Sequence, residues 1–343
     1  MTRRLYYTEP YRARFDARVV EQLTWDAQPA VVLDRTAFYP ESGGQPADHG
    51  TLGDAAVLDV VERPLDGAVV HVLSQEVPDP TVEGTVDWRR RFDHMQQHTG
   101  QHVLSAAFRQ RLDAKTVGFH LGSESSTIDV SATGLDDDDL RSVETLANAV
   151  IWDDRAIATR FADDEALAEL GVEPPDDVEG PFRLLVIPGS PEGDNTPFDV
   201  NPCGGTHVSR TGEIGLIKIV GLERRGDDTR VTFLCGRRAL RAEHRRQKGD
   251  PTSPDELRIM ARKLTDTPRV VAFLFSVAER THFCFARSEG LDLDVNEHLQ
   301  VVCARLDGAG GGRPQVAQGS APAADAGEVQ QILDDLLAGL ELS

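Results

Sequence analysis

Two stretches of this 343-residue chain carry side chains able to bind a metal ion. The first, MQQHTGQHVLSAAF (residues 95–108), places His98 and His102 four residues apart. The second, NPCGGTHVSRTGEIGLIKI (residues 201–219), places Cys203 and His207 four apart, with Gly204, Gly205 and Thr206 between them. On a helix, residues i and i+4 share a face with Cβ atoms about 5–6 Å apart, so two imidazoles can reach one ion. Two glycines argue against a helix at the second stretch and for a tight turn, which folds a thiolate and an imidazole back toward one point. Three imidazoles and a thiolate suit Zn²⁺, because soft sulfur disfavours magnesium and calcium. Each pair alone has a plain alternative. Histidines four apart recur by chance, and Cys203 could be a core thiol with His207 on the surface. The two pairs together favour the metal.

Between the histidines stand Thr99, Gly100 and Gln101, so the stretch lacks the built-in glutamate base of an HExxH site. A catalytic ion here would have to activate water itself or with the help of substrate. A shell closed by four protein ligands would instead be structural. The residues alone leave both open. His94 and His120 are further imidazoles close in sequence, for which packing is the ordinary role.

These side chains need elements to hold them. Residues 1–88 are β-rich, with runs such as VVLDRTAFYP and AVVHVLSQEV separated by ESGGQPADHGTLGD and RPLDG, and predict a small barrel or sandwich. From Asp87 to Leu112 the pattern turns helical, with Met95, His98, Leu104, Ala107, Phe108 and Leu112 near one stripe. GFHLGSESSTIDVSA reads as a strand, and an acidic cap then starts a helix over Leu140 to Ala149. TRFADDEALAELG gives a strand end and a short helix stopped by Gly171. FRLLVIPG is a strand, and a hairpin turns at Gly226-Asp227. The predicted fold class is α+β: an N-terminal small β-barrel domain (1–88), a central two-layer α/β domain (89–236), a helical connector (237–265) and a small C-terminal α/β domain (266–343). In the last, LQVVCARL is strand-like, GAGGGRP is either a flexible linker or a loop whose N–H groups meet phosphate, and EVQQILDDLLAGLEL is an amphipathic helix.

The chain is long enough for two or three domains, and 40% hydrophobic residues suffice for real cores. No apolar run approaches the ~20 residues of a membrane span. The opening MTRRLYYTEP has no apolar core of a secretion signal. Four dispersed cysteines fit no disulfide framework. A soluble, cytoplasmic protein is expected. Asp and Glu number 57 against 36 Lys and Arg, for a net charge of −21. Asp outnumbers Glu 35 to 22, and only 4 of the cations are Lys. Such a surface suits concentrated salt, where screening makes self-repulsion tolerable. An acidic mesophilic protein is the alternative. The charge does not exclude RNA, since counterion release contributes little at molar salt.

HTGQH, CGGTHVSRTGEIGLIKI and RTAFYPESGGQPADHG, taken together, closely resemble the alanyl-tRNA editing proteins (AlaX), which share the editing half of alanyl-tRNA synthetase. The resemblance covers nearly the whole chain. GGGRPQVAQGSAP is similar to the glycine-rich segment of the DHH-associated C-terminal domain, which marks the long form. The resemblance implies hydrolysis in trans, without ATP, of tRNA(Ala) mischarged with serine and often glycine. It implies His98, His102, Cys203 and His207 as the zinc ligands and Gln45 as a polar contributor from ESGGQPADHG. It also implies tRNA binding and homodimer formation through the C-terminal domain, with Arg313 as an RNA contact. Nothing in these residues looks like a synthetase core that binds ATP.

Double-sieve logic agrees. A site that pairs the serine hydroxyl rejects alanine, because alanine leaves its polar groups unpaired. Thr116, on the strand expected beside the HxxxH helix, is the candidate for that role together with Thr99 and Thr206; the bland alternatives are a strand threonine for Thr116 and a turn-capping glutamine for Gln45. Three other functions compete. One is an RNA-binding module with a purely structural zinc. Another is a DHH-type phosphoesterase, for which DHM at Asp93–Met95 lacks the second histidine. The third is threonyl-tRNA editing, against which CGGTH followed by TGEIG favours the alanine branch.

Overall fold

The computed structural model describes residues 2–172, 180–191, 193, 196–248 and 253–338. The chain divides into two compact units, one of residues 1–219 and 226–239, the other of 220–225 and 240–343.

In the first unit, six strands close a barrel: β1 (Arg14–Trp25), β2 (Gln28–Leu33), β3 (Gly50–Leu52), β4 (Ala55–Glu62), β5 (Val69–Leu73) and β6 (Thr81–Val86), in the order β1-β2-β5-β4-β3-β6. Of the two architectures open from sequence, the barrel forms because β6 returns antiparallel onto β1, Arg14 opposite Thr85. Alternate residues point inward, so Leu33, Leu52, Val60 and Leu73 fill the interior, where Phe38 joins them from the segment between β2 and β3.

Helix α1 (Trp88–Leu112) leaves the barrel directly, its N-cap Asp87 accepting from the Arg89 and Arg90 N–H groups. Residues 94–104 are all buried, including Gln96, Gln97, His98, Thr99, Gln101 and His102. A polar helix buried on every side must find a partner for most of these groups. Gln96 Nε2 donates to Glu213 O at 2.8 Å, and Gln97 exchanges bonds with the Cys235 backbone. Gly100 is required by close approach, since a Cβ there would lie 2.3 Å from Cys235 Sγ.

GFHLGSESSTIDVSA forms two strands, β7 (Thr116–Leu121) and β8 (Ser126–Val130), because Gly122–Ser125 turns the chain back antiparallel. Helix α2 (Asp137–Trp152) begins at the capping box of Asp136 and Asp139. Strand β9 (Ala158–Ala162), helix α3 (Asp164–Leu170, with Gly171 at its left-handed end), β10 (Phe182–Ile187) and β11 (Asp199–Pro202) follow, the strands pairing in chain order. Then come β12 (Ile217–Arg225) and β13 (Asp228–Cys235), and a sheet in the order β12-β13-β8-β7.

Helix α4 (Gly236–Lys248) leads to the second unit. There α5 (Pro254–Thr265), β14 (Val271–Val277), β15 (Arg280–Arg287), α6 (Val295–Arg305), β16 (Ala309–Arg313), β17 (Val316–Pro322) and α7 (Ala326–Ala338) form a sheet in the order β14-β15-β17-β16 with helices packed on it. Leu257 and Ala261 of α5 pack on Cys284 and Ala286, while Leu299, Val302, Val329 and Leu333 pack around Phe283 and Phe285. LQVVCARL is helix rather than strand: Asp294 caps α6, and Leu299, Val302 and Cys303 face the core at helical spacing. GAGGGRP is neither linker nor phosphate loop but strand β16 and its turn. Its glycines permit close pairing, since a Cβ on Gly310 would lie 2.5 Å from Gly319 Cα and one on Gly312 2.3 Å from Val316 O. The last residues of EVQQILDDLLAGLEL lie outside the described residues. No described helix is long and apolar enough to cross a membrane.

Candidate metal centre

His98 and His102, one turn apart on α1, meet Cys203 and His207 from the segment after β11. One nitrogen from each imidazole and the Cys203 Sγ all lie within 4.8 Å of one another. His98 Nε2 is 3.4 Å and His207 Nε2 3.1 Å from the sulfur. This cluster could hold a metal ion.

The other ring nitrogens point away from the cluster, and each has a partner. His98 Nδ1 donates to Gln45 Oε1 at 2.8 Å. That oxygen also accepts the Thr206 N–H at 3.1 Å, while Gln45 Nε2 donates to Thr206 Oγ1, which fixes the amide's orientation. His102 Nδ1 lies 3.3 Å from Asp199 Oδ2, and His207 Nδ1 3.3 Å from Thr99 Oγ1. With the Nδ1 atoms held outward, the Nε2 atoms are left on the side of the cluster. His102 Nε2 is buried with no hydrogen-bond partner, as a ligand atom awaiting an ion would be.

Electrostatics favour a thiolate. Burial pushes the Cys203 thiol up, but the nearby imidazoles of His98, His207 and His102 outweigh it and hold the group well below its ordinary value. Burial holds His207 down to about 3. For His102 burial also disfavours the charged ring, yet Asp199 at Nδ1 and the nearby Cys203 outweigh it and raise it to about 10.

The Cys203–His207 turn is pinned by close packing. A Cβ on Gly205 would sit 2.2 Å from His98 Cε1 and 3.0 Å from Gln45 Oε1. The buried Arg183 on β10 donates from Nη1 to Cys203 O and Gly205 O, both at 2.8 Å, with its guanidinium over the Tyr7 ring.

The other residues singled out from sequence lie as follows. Gln45 stands behind His98, fully buried. Thr116 donates to Ser105 Oγ at 2.7 Å, on the α1 face that carries His98 and His102. Arg313 is exposed at the end of β16. His94 is buried with Nδ1 unpaired. Asp199, Arg183 and Arg109, which binds Asp199 Oδ1 at 3.0 Å, carry no motif signal. The one hint is an acidic residue four positions before Cys203.

Three family models match the chain: threonyl and alanyl tRNA synthetase second additional domain over residues 183–231, DHHA1 domain over 242–339, and tRNA synthetases class II (A) over 7–90. The first contains Cys203 and His207. The third falls on the barrel and its flanks, where the motifs point to no synthetase core. The alanyl-tRNA editing protein AlaX-L of Pyrococcus horikoshii is 34% identical over 251 residues, 70% of this chain and 59% of its own. The alanyl-tRNA editing protein Aarsd1 of Mus musculus is 36% identical over 62% of this chain and 50% of its own. An alanine–tRNA ligase of Halobacterium salinarum is 35% identical over 91% of this chain and 33% of its own. The chain thus spans 50–59% of the length of these editing proteins and a third of that ligase.

Proposed function

We propose that this chain, a member of the alanyl-tRNA editing family related also to alanine–tRNA ligases, is a trans-editing aminoacyl-tRNA hydrolase that releases serine from mischarged tRNA(Ala). The single observation that carries the reading is the convergence of His98, His102, Cys203 and His207 within 4.8 Å. The donor set fits zinc: three imidazole nitrogens and a sulfur whose surroundings favour the thiolate. When bound, zinc supplies a Lewis acid beside the ester.

The chain's own groups do the rest. Gln45, Thr99 and Asp199 orient the imidazoles, and Arg183 holds the carbonyls of the Cys203 turn. The 3′-terminal aminoacyl-adenosine lies against this wall, where positioning of an already activated ester contributes much of the acceleration. In this reading Arg313 contacts RNA, the C-terminal domain supports a homodimer, and the protein works with translation in the cytoplasm.

One observation favours a second reading, an RNA-binding module with a structural zinc: four protein atoms are enough to fill a tetrahedral shell. Paired deacylation of Ser-tRNA(Ala) and Ala-tRNA(Ala) at high salt, with and without a chelator, separates the two. Release of serine but not alanine, lost with chelator and in Cys203→Ala at unchanged circular dichroism, supports the hydrolase. RNA binding without release of serine supports the module. Full activity in a Cys203→Ala protein that has lost its metal overturns the metal-centred reading.

A further inference from the structure

The hydroxyls beside the cluster are already engaged. Thr99 Oγ1 accepts the Val208 N–H and contacts His207, and Thr206 Oγ1 accepts from Gln45. Thr116 Oγ1 donates to Ser105. Gln101 differs. It is 4% exposed, its Nε2 donates to Ser105 Oγ at 2.9 Å, and its Oε1 is buried with no partner. Residues 98, 101, 102 and 105 have the i, i+3, i+4, i+7 spacing of one helical face, so this unpaired oxygen belongs to the face that carries His98 and His102. A buried amide oxygen without a donor is rare in a folded protein, and a ligand that brings the donor accounts for it.

We infer that Gln101 is a specificity-determining residue whose Oε1 accepts the side-chain hydroxyl of the seryl group. The inference rests on the editing reading above. Ser105 and Thr116 are positioning residues: Ser105 engages Nε2 and Thr116 holds Ser105, which keeps the amide oxygen available to the substrate. A seryl hydroxyl completes the network. An alanyl methyl in the same place leaves Oε1 unpaired, so discrimination comes from the penalty on the wrong substrate.

The test is the ratio of kcat/KM for Ser-tRNA(Ala) to that for Ala-tRNA(Ala), measured on the full chain with its metal. Gln101→Met keeps the volume and removes the acceptor, and should lower the ratio about tenfold or more, with metal content and thermal midpoint close to wild type. Ser105→Ala should lower the ratio by a smaller factor, and Ser105→Thr, which keeps the hydroxyl, should restore it. A folded, metal-loaded Gln101→Met that keeps the wild-type ratio, or loses both activities equally, overturns the inference and leaves the editing reading intact. If Gln101→Met does not fold, the Ser105 pair decides by the same ratio. Absence of serine release by the wild-type protein overturns the editing reading, and the inference with it.

Discussion

The Asp199 carboxylate and the His102 imidazole lie 3.3 Å apart, Oδ2 to Nδ1, and both side chains are buried. Among the contacts that hold the outer nitrogens of the three imidazoles, this alone has a charged partner: Gln45 and Thr99 are neutral. Asp199 is itself oriented by Arg109 and by Asn201 Nδ2, 2.8 Å from each of its oxygens. Such outer contacts fix ring orientation and raise ligand basicity. Asp199→Asn should therefore weaken metal binding, assayed with Zn²⁺, roughly 10–100-fold while the fold persists. Competition against a chromophoric chelator measures it, and affinity equal to wild type would refute the role.

Gly205 allows the turn to pass His98. A Cβ at this position would overlap the imidazole, so Gly205→Ala must displace either the ring or the turn. Metal content after dialysis should fall well below one ion per chain. The first unit should still unfold cooperatively, because the barrel core does not depend on this residue. A stoichiometric ion in Gly205→Ala would show that the turn yields without cost to the site.

Local spacing made part of this architecture legible. His98 with His102, and Cys203 with His207 around two glycines, are close enough in sequence for helical geometry and turn chemistry to bring each pair together. That the two pairs meet depends on long-range packing, such as Gln97 with Cys235 and Gly100 beneath its sulfur. Asp199 and Arg183 were invisible because their roles follow from which strands pass α1. Barrel closure was ambiguous for the same reason, since β1 and β6 pair at long range, from Arg14 with Thr85 to Arg18 with Thr81. LQVVCARL misleads because a short apolar run has no period to separate helix from strand. Gly310–Gly312 read as a loop because their pairing partner lies later in the chain.

His71 gives the first unit a pH-dependent stability. The ring is fully buried in the barrel, its Nδ1 donating to Val31 O at 3.2 Å and its Nε2 accepting from Thr36 Oγ1 at 2.8 Å, so the neutral form is satisfied. Burial holds its pKa down to about 4 from 6.5. Between those values the unfolded chain takes up a proton that the folded chain refuses. Stability from this group is complete above about pH 6.5 and declines as pH falls toward 4, by on the order of 3 kcal/mol. His94, held down to about 3 by burial and by Arg90, acts in the same direction. Urea midpoints at pH 7, 5.5 and 4.5 should fall in that order, and His71→Gln should flatten the trend. An unchanged pH dependence in His71→Gln would rule out His71 as a source.

Arg91 and Asp48 form a fully buried ion pair that joins the first turn of α1 to the barrel. Arg91 Nε lies 3.0 Å from both carboxylate oxygens, and a third bond runs from Nη2. The guanidinium also donates to Pro10 O at 2.9 Å and Ala37 O at 2.5 Å, while Asp48 accepts the Tyr39 N–H at 2.7 Å. Removing one charge strands the other where water cannot reach it. Asp48→Asn should therefore cost about 3–5 kcal/mol of stability, measured by urea unfolding at pH 7. Replacing both partners, Asp48→Leu with Arg91→Met, should recover much of that loss, because no buried charge is then left unpaired. The single change should also reduce metal retention, because α1 carries His98 and His102 and its first turn is held here. A single variant as stable as wild type would mean that the pair only orients the helix and contributes no net stability.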